Sequence, residues 1–136
     1  MQKVVVHVDG GARGNPGPSA VAAVASDVSG EELANRSACI GEATNNVAEY
    51  RAVLLGLELA KELGAVEVEV VNDSELIARQ IQGRYKVKHA GLKPLHLEAT
   101  EALRDFDSWS VNTVRRECNE RADGLVNEAL DRQARR

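Results

Sequence analysis

The stretch KVVVHVD at residues 3–9 decides how the fold is built. Residues 3–8 are almost wholly apolar and largely β-branched, which predicts a strand buried on both faces near the centre of a sheet. Asp9 ends this strand, and residues 10–18 (GGARGNPGP) predict a flexible loop with several turns. Because ligands of open α/β sheets bind beyond the carboxyl ends of the strands, Asp9 is the first candidate functional group.

Two more strands and a long helix follow this loop. Residues 20–27 predict a second apolar strand, residues 28–31 (VSGE) a hairpin turn, and residues 32–41 a third strand that returns beside the second. A short turn between consecutive strands implies antiparallel pairing. Residues 46–63 then predict a helix with a broad apolar side, and Gly64 is suited to its C-terminal cap.

The second half of the chain alternates helices with strands. The predicted elements are a strand at 66–71, a helix at 75–82, a helix at about 94–106, a strand at 109–115 and a helix from Asn119 to about 133. The complete order is βββαβααβα. This order predicts an α/β fold with a mixed five-stranded sheet, its first three strands antiparallel, and helices on both faces.

Length and composition indicate a globular protein of one domain, residues 1–136. Hydrophobic residues make up 43% and charged residues 28% of the 136 residues, which is ordinary for a soluble domain. No apolar run approaches the ~20 residues of a membrane helix, and residues 1–4 lack the features of a secretory signal. We therefore expect a cytoplasmic monomer with no membrane association and no obligate protein partner. Cys39 and Cys118 match neither a disulfide framework nor a zinc motif and are expected to be ordinary thiols.

The charges are unevenly distributed. A formal net charge of −4 argues weakly against nucleic-acid binding. Residues 76–97, however, contain no Asp or Glu. The cations Arg84, Lys86, Lys88 and Lys93 lie close together there, and we call them the basic strip. The strip is either a local binding site for an anion such as phosphate or a solvated loop whose lysines provide solubility.

Four acidic residues lie at unusual places: Asp9, Glu49, Asp73 and Asp123. Each has a structural explanation: Asp9 as a turn former, Glu49 in a capping arrangement with Asn46, Asp73 as a helix cap and Asp123 as a first-turn acid. If the four converge, they repel one another unless cations lie among them. Mg²⁺ or Mn²⁺ fits oxygen donors better than zinc does, since no His or Cys cluster accompanies them. The residue pattern leaves open whether they converge.

Five sequence blocks carry a family resemblance. They are DGGARGNPGP at 9–18, TNNVAEY at 44–50, NDSEL at 72–76, QIQGRYKVK at 80–88 and NERAD at 119–123. In this order and spacing, over nearly the whole chain, they resemble the type 1 ribonuclease H family, in its bacterial and archaeal branch. The resemblance implies the ribonuclease H-like fold, whose element order is the one predicted above.

The resemblance also implies an activity. Family members are endoribonucleases that hydrolyse the RNA strand of an RNA–DNA hybrid, with little sequence specificity, to 5′-phosphate and 3′-hydroxyl ends. Asp9, Glu49, Asp73 and Asp123 match the carboxylates that hold two Mg²⁺ ions, for which Mn²⁺ is a possible substitute. Two such ions clamp an in-line displacement at phosphorus: one lowers the pKa of the attacking water and the other stabilises the leaving oxygen.

Substrate contacts carry over by position. The resemblance implies that Thr44 and Asn46 hold a DNA phosphate, that Asn15, Asn45 and Glu75 reach base edges in the minor groove, and that the backbone near Gly11 and Arg13 meets ribose 2′-hydroxyls. A shallow minor groove that displays the 2′-hydroxyl is the feature by which a protein distinguishes RNA from DNA. Lys86 and Lys88 of the basic strip are expected to add salt-dependent affinity.

The chain departs from the family pattern in two respects. Many members carry a His before the last helix, whereas residues 113–118 contain none. Arg116 is the nearest candidate there: it is either a surface residue or a group that orients the scissile phosphate or assists product release, and its pKa is too high for a general acid. The extended basic handle of some relatives is absent, and the basic strip replaces part of it. Of the histidines, His7 is expected to pack in the core, and His89 and His96 to be solvated.

Three alternatives remain. The first is a binding module for RNA–DNA hybrids or double-stranded RNA that has the fold but no activity; four mutually repelling acids argue against it. The second is a related metal-dependent nuclease acting on DNA, against which the glycine-rich loop and residues 44–46 (TNN) weigh. The third is that the chain is one domain of a larger protein.

Overall fold

The computed structural model of the protein describes residues 3–135. Within this range the chain forms five strands, four α-helices and one turn of 3-10 helix. In chain order they are β1 (Lys3–Ala12), β2 (Gly17–Ser26), β3 (Glu32–Ala43), α1 (Asn45–Glu62), β4 (Glu67–Asn72), α2 (Glu75–Ile81), α3 (Lys93–Leu103), β5 (Ser108–Thr113), a 3-10 turn (Arg116–Cys118) and α4 (Glu120–Ala134). The predicted order βββαβααβα is confirmed, with the 3-10 turn added before α4.

The strands form a mixed sheet in the order β3-β2-β1-β4-β5. β2 is antiparallel to β1 and β3, as predicted, and β4 is parallel to β1 and β5. β1 is therefore the central strand. The carboxyl ends of β1 and β4 point to the same edge of the sheet, where the change from antiparallel to parallel pairing opens a crevice.

The predicted end of β1 at Asp9 is wrong, because the strand continues to residue 12. Residues 10–12 pair with residues 19–21 of β2, and Asp9 lies inside the strand opposite Ala22. The backbone partners on β2 satisfy the N–H and C=O groups of this glycine-rich segment, which outweighs its weak local strand preference. The loop between the two strands consequently shrinks to residues 13–16.

The two faces of β1 are not buried equally, so the prediction of a strand buried on both faces is wrong. Val4, Val6 and Val8 are fully buried on one face, whereas Val5 and His7 on the other face are half-buried. The difference arises because α1 covers the first face along most of the strand, while α4 on the second face lies mainly over β2.

Helices pack on both faces of the sheet, as predicted. The larger core combines α1, α2 and α3 with the sheet, and the smaller core combines α4 with β2. Gly56 lets α1 approach β1 closely, since a Cβ atom there would lie 2.6 Å from Val8 Cγ1. On the other face, Val126 and Leu130 of α4 join Ala22 of β2 in the smaller core. No helix in residues 3–135 is long and apolar enough to cross a membrane.

The helix caps bear on two of the structural explanations for the acids. Thr44 caps α1 with its side chain, so the capping arrangement of Asn46 with Glu49 is not formed, and Glu49 lies beyond the first turn. Ser74 caps α2, which leaves Asp73 without the capping role. Both carboxylates are therefore present for reasons other than helix initiation.

His96 is not solvated, contrary to the sequence-based expectation. It is half-buried, with its Nε2 atom 3.0 Å from the carbonyl oxygen of Gln80 and its ring edge-on to Tyr50 at 6.4 Å between centroids. The predicted helix at 94–106 begins at Lys93 and ends at Leu103, and it turns His96 towards α1 and α2. His89, in the loop before α3, is exposed as expected.

Candidate active site

One open cleft at the carboxyl edge of β1 and β4 is lined by all four of the predicted carboxylates. Asp9 comes from β1, Glu49 from α1, Asp73 from the turn after β4 and Asp123 from α4. The cleft encloses about 320 Å³. Other predicted residues along it are Gly11, Arg13, Asn45 and Arg116. Side chains that are far apart in the chain thus face a common space.

Gly10 brings β1 against the start of α1. A Cβ atom at this position would overlap the carbonyl group of Ala48, so only glycine permits the contact without a shift of the backbone. Asp9 precedes Gly10 and Glu49 follows Ala48. The close approach of the two backbones therefore sets these carboxylates beside each other.

The parallel pairing of β1 with β4 aligns Asp9 with Asp73. The register runs from Lys3 opposite Glu67 to His7 opposite Val71. Continued by two residues, the same register sets Asp9 level with Asp73. Two acids at the ends of adjacent parallel strands occupy the position at which open α/β sheets bind ligands.

The carboxyl groups of Asp9 and Asp123 lie close together in the cleft. Burial above all, then the negative charges of Asp73, Asp123 and Glu49, raise the pKa of Asp9 to about 8. Asn127 donates from Nδ2 to Asp123 Oδ2 at 3.3 Å. Asp9 therefore holds its proton more tightly than an ordinary aspartate does.

Glu49 and Asp73 are also less acidic than usual. Burial raises the pKa of both carboxyls. The Ser74 hydroxyl opposes this rise for Glu49, and the positive charge of Arg116 opposes it for both. Arg116 is exposed at the first position of the 3-10 turn, and its charge acts on two of the four acids. Its guanidinium group therefore faces the cleft rather than only the solvent.

The oxygen atoms of the site fit a hard divalent cation. Glu49 Oε2 is buried without a hydrogen-bond partner, and a small void of about 10 Å³ lies between Asp9, Glu49, Asp73 and Ser74. Carboxylate oxygens are the donors that Mg²⁺, Mn²⁺ and Ca²⁺ prefer, and neither His nor Cys lines the cleft. Within residues 3–135 no three His, Cys, Asp or Glu side chains already form a closed metal-binding group. A cation between the carboxylates would relieve their mutual repulsion.

The predicted substrate residues next to the cleft are linked by hydrogen bonds. Asn45 Oδ1 accepts the N–H of Ala12 at 2.9 Å, and Asn15 Oδ1 accepts the N–H of Asn45 at 3.1 Å. The end of β1, the loop after it and the start of α1 are therefore held as one unit. The Arg13 side chain pairs with Asp131 of α4 at 2.7 Å.

The remaining predicted substrate residues lie outside the cleft lining. Thr44 is occupied as the cap of α1, and Asn46 is exposed beside it. Glu75 forms an ion pair with Arg79 one turn along α2, and Arg79 in turn lies 5.4 Å from the ring centre of Tyr85. Lys86 and Lys88 are exposed in the segment between α2 and α3.

Asn119 is a residue of this region whose contacts were missed by the sequence analysis, which assigned it only to the start of the last helix. It is 1% exposed, and its Nδ2 donates to the carbonyl oxygen of Val8 at 2.9 Å. Asn119 also opposes the rise that burial causes in the pKa of Asp73. Its membership in the NERAD block was the available signal, but nothing in the sequence distinguishes an inward-facing Asn from a helix cap.

Comparison with known proteins gives consistent similarities. A family model described as Reverse transcriptase-like matches residues 7–129. The chain is 43% identical over 129 residues to Ribonuclease HI of Halobacterium salinarum, covering 95% of this chain and 65% of that protein. It is 45% identical over 130 residues to Bifunctional protein Rv2228c of Mycobacterium tuberculosis, covering 95% of this chain and 36% of that protein. The chain thus spans less than two thirds of the length of these curated relatives.

A solved structure extends the similarity to three dimensions. LC11-RNase H1, whose crystal structure contains an RNA/DNA hybrid, superposes with a TM-score of 0.92 at 44% sequence identity. The match covers 96% of this chain and 99% of that one. The likeness therefore extends over nearly the whole chain, including the strands and helices around the four carboxylates.

Proposed function

The chain belongs to the ribonuclease H family, and from this premise we propose that it hydrolyses the RNA strand of RNA–DNA hybrids. The observation that carries the proposal is the cleft in which four carboxylates from four elements face one another. A purely structural cluster would not retain four mutually repelling groups at one edge of a sheet. The hybrid bound to the similar LC11-RNase H1 supports the choice of substrate.

The family is metal-dependent. For this chain we propose Asp9, Glu49, Asp73 and Asp123 as the ligands of two Mg²⁺ ions, with Mn²⁺ as a substitute. Four carboxylates carry a charge of −4 when ionised, which two divalent cations neutralise. Ions bound there would supply an activated water and stabilise the leaving 3′-oxygen, giving 5′-phosphate and 3′-hydroxyl ends. The unpartnered Glu49 Oε2 and the raised pKa of Asp9, which reflects uncompensated negative charge, support a cation at this place.

The protein residues then bind and orient the substrate. Arg116 faces the cleft from an exposed turn, and its guanidinium can donate two parallel hydrogen bonds to a phosphate. We assign it to orientation of the scissile phosphate. A guanidinium group is a hydrogen-bond donor rather than an acid catalyst, so proton transfer is left to water or to a carboxylate.

Recognition of the hybrid relies on its shape. The rigid unit of β1, Asn15 and Asn45 presents backbone and amide groups beside the carboxylates, where they would contact base edges and the 2′-hydroxyls near Gly11 and Arg13. Thr44 and Asn46 at the start of α1 would meet the phosphates of the DNA strand, Glu75 at the start of α2 would reach a base edge, and Lys86 and Lys88 would meet phosphates farther along the hybrid. Contacts of these kinds carry little sequence information, so cleavage at many sequences is expected.

The test is cleavage of an end-labelled hybrid with Mg²⁺, with Mn²⁺ and with EDTA. Duplex RNA, duplex DNA and both single strands are assayed in parallel, and an Asp73→Asn variant purified by the same procedure controls for contaminating nucleases. Metal-dependent cutting of RNA in the hybrid alone is the expected result. Binding of the hybrid without cutting under any metal would show that the protein is a binding module and not an enzyme. Preferential cutting of DNA would show that the RNA strand of the hybrid is not its substrate.

A further inference from the structure

Asn119 occupies the N-cap position of α4, yet its side chain does not cap the helix. Asn is among the residues most favoured at this position, because its side-chain oxygen accepts an N–H group of the first turn. Here the side chain turns inward instead and is 1% exposed. The first turn of α4 therefore has no side-chain cap from Asn119, and the amide makes its contacts elsewhere.

Those contacts lead to the elements that carry the carboxylates. Asn119 Nδ2 donates to the carbonyl oxygen of Val8, the residue before Asp9, at 2.9 Å in a buried position. Val8 is the first residue of β1 beyond its pairing with β4, which ends at His7. Asn119 thus supports the backbone of β1 at the point where the crevice opens.

The same residue lies next to two of the acids. Its side chain is close enough to Asp73 to oppose the rise in the pKa of that carboxyl. Its backbone oxygen accepts the N–H group of Asp123 at 3.1 Å, in the first turn of α4. One buried residue therefore hydrogen-bonds to the backbone before Asp9 and to the backbone of Asp123, and lies near Asp73.

This arrangement is unfavourable for stability alone. Besides the missing cap, Asn119 Oδ1 is buried without a hydrogen-bond partner, which carries a desolvation cost. A serine at this position would bury no amide oxygen. An asparagine at position 119 is therefore explained by the hydrogen bond that its Nδ2 group donates to the Val8 carbonyl.

We infer that Asn119 is a positioning residue, which holds the end of β1 beside the first turn of α4 so that the carboxylates are arranged before a cation binds. The inference rests on the proposed function for the identity of the cation-binding groups. Without the amide, β1 and α4 lose this link, and a cation must order the carboxylates as it binds, which weakens its affinity.

Two variants and one matched control test this role. Asn119→Ser keeps a polar side chain that is too short to span to Val8, and Asn119→Ala removes the polar side chain altogether. Arg121→Ala is the control, because Arg121 lies in the same turn of α4 but pairs on the surface with Glu32 at 3.0 Å. Binding of Mn²⁺ to the protein is measured by calorimetry without nucleic acid, and stability is measured by urea unfolding.

Both Asn119 variants are expected to bind Mn²⁺ about tenfold more weakly than the parent, or weaker still, and Arg121→Ala to bind it unchanged. Asn119→Ser is expected to unfold cooperatively with a stability equal to or above that of Asn119→Ala. Unchanged Mn²⁺ affinity in Asn119→Ser would overturn the inference. Loss of cooperative unfolding in both variants would also overturn it, since Asn119 would then maintain the fold rather than the site.

Hybrid cleavage separates this inference from the proposed function. At saturating metal, both Asn119 variants are expected to have a lower kcat. Their KM for the hybrid should change less than kcat does, because Asn119 is buried and does not face the nucleic acid. A parent protein that binds Mn²⁺ with the expected dependence on Asn119, but cleaves no hybrid, would refute the activity and leave the positioning role intact.

Discussion

Asp123 of α4 lies so close to Asp9 of β1 that, together with burial, it helps to raise the pKa of Asp9 to about 8, and Asp9 keeps a proton at neutral pH. The two residues are far apart in the chain, and the packing of α4 against the sheet brings them together. In the absence of metal the proton offsets a repulsion that a divalent cation would otherwise offset. Cation binding and proton release are therefore coupled at this pair.

The first prediction concerns the pH dependence of stability in the presence of EDTA. The folded-state pKa of Asp9 is raised from 3.8 to about 8, so the folded state binds its proton more tightly than the unfolded state does. The stabilising contribution is fully present below about pH 4 and is lost as the pH rises through 8. Within the window from about pH 4 to pH 8, linkage lowers the free energy of unfolding by up to about 1.4 kcal/mol per pH unit.

Urea unfolding of the parent and of Asp9→Asn between pH 5 and pH 9 measures this effect. The asparagine does not titrate, so the free energy of unfolding of Asp9→Asn should fall less steeply with pH, and the variant should be the more stable protein at pH 9. Parallel curves for the two proteins would mean that the pKa of Asp9 is not raised in the folded protein.

The second prediction is that Glu49→Gln abolishes metal-dependent cleavage while the fold persists. The substitution keeps the size of the side chain and removes the charge that Glu49 Oε2 would offer a cation. Cleavage of a labelled hybrid in Mg²⁺ should fall to the level of the EDTA control, and the far-ultraviolet circular dichroism should be unchanged. Parental activity in the variant would remove Glu49 from the proposed metal site. The same experiment on Asp9→Asn has the same expected outcome.

A third prediction follows from binding linkage. A cation that binds only the folded protein raises its free energy of unfolding, by about 2.7 kcal/mol at a hundredfold excess over the dissociation constant. The Tm of the parent should therefore rise with Mg²⁺ concentration, and that of Asp73→Asn should rise much less. NaCl at the same ionic strength is the control. Equal rises in both proteins and in NaCl would indicate general charge screening rather than a site.

The sequence predicted the elements of this fold well because its signals are local. The apolar residues of β1, the glycine after α1 and the order of strands and helices all follow from periodicity and turn chemistry. The continuation of β1 through residues 10–12 was missed because it depends on backbone partners in β2. The burial of His96 was missed for a similar reason, since it depends on how α3 lies against Tyr50.

The candidate site was predictable only as a set of residue types. Oxygen donors at Asp9 and Asp73 follow from their places at the ends of apolar stretches, but their contact with Asp123 depends on how α4 packs across the sheet. Asn119 shows the limit of local reasoning. Its sequence context is that of a helix cap, and only the folded structure turns its amide towards Val8.

The fourth prediction is that Arg116→Ala lowers kcat more than it raises the KM for the hybrid. Arg116 faces the carboxylates, so its loss affects the reacting phosphate more than the remainder of the bound duplex. The expected loss in kcat is on the order of 10- to 100-fold, below that for a buried oxyanion donor because Arg116 is exposed. Arg116→Lys should recover only part of the lost kcat, since a single ammonium group cannot reproduce the two parallel donors of a guanidinium. A change confined to KM would instead make Arg116 a binding residue.

The last prediction concerns Lys86 and Lys88 of the basic strip, which are exposed between α2 and α3. If each neutralises one phosphate, replacing both by alanine reduces the slope of log K against log salt concentration by roughly 1.4–1.8 in total. Affinity for the hybrid is measured between 50 and 200 mM salt, in an Asp73→Asn background that prevents cleavage. The control replaces two other cations, Lys61 and Arg121, which pair with nearby carboxylates on the surface. An unchanged slope in the Lys86 and Lys88 variant would assign the strip to solubility, whereas an equal loss in the control would show that net charge alone sets the affinity.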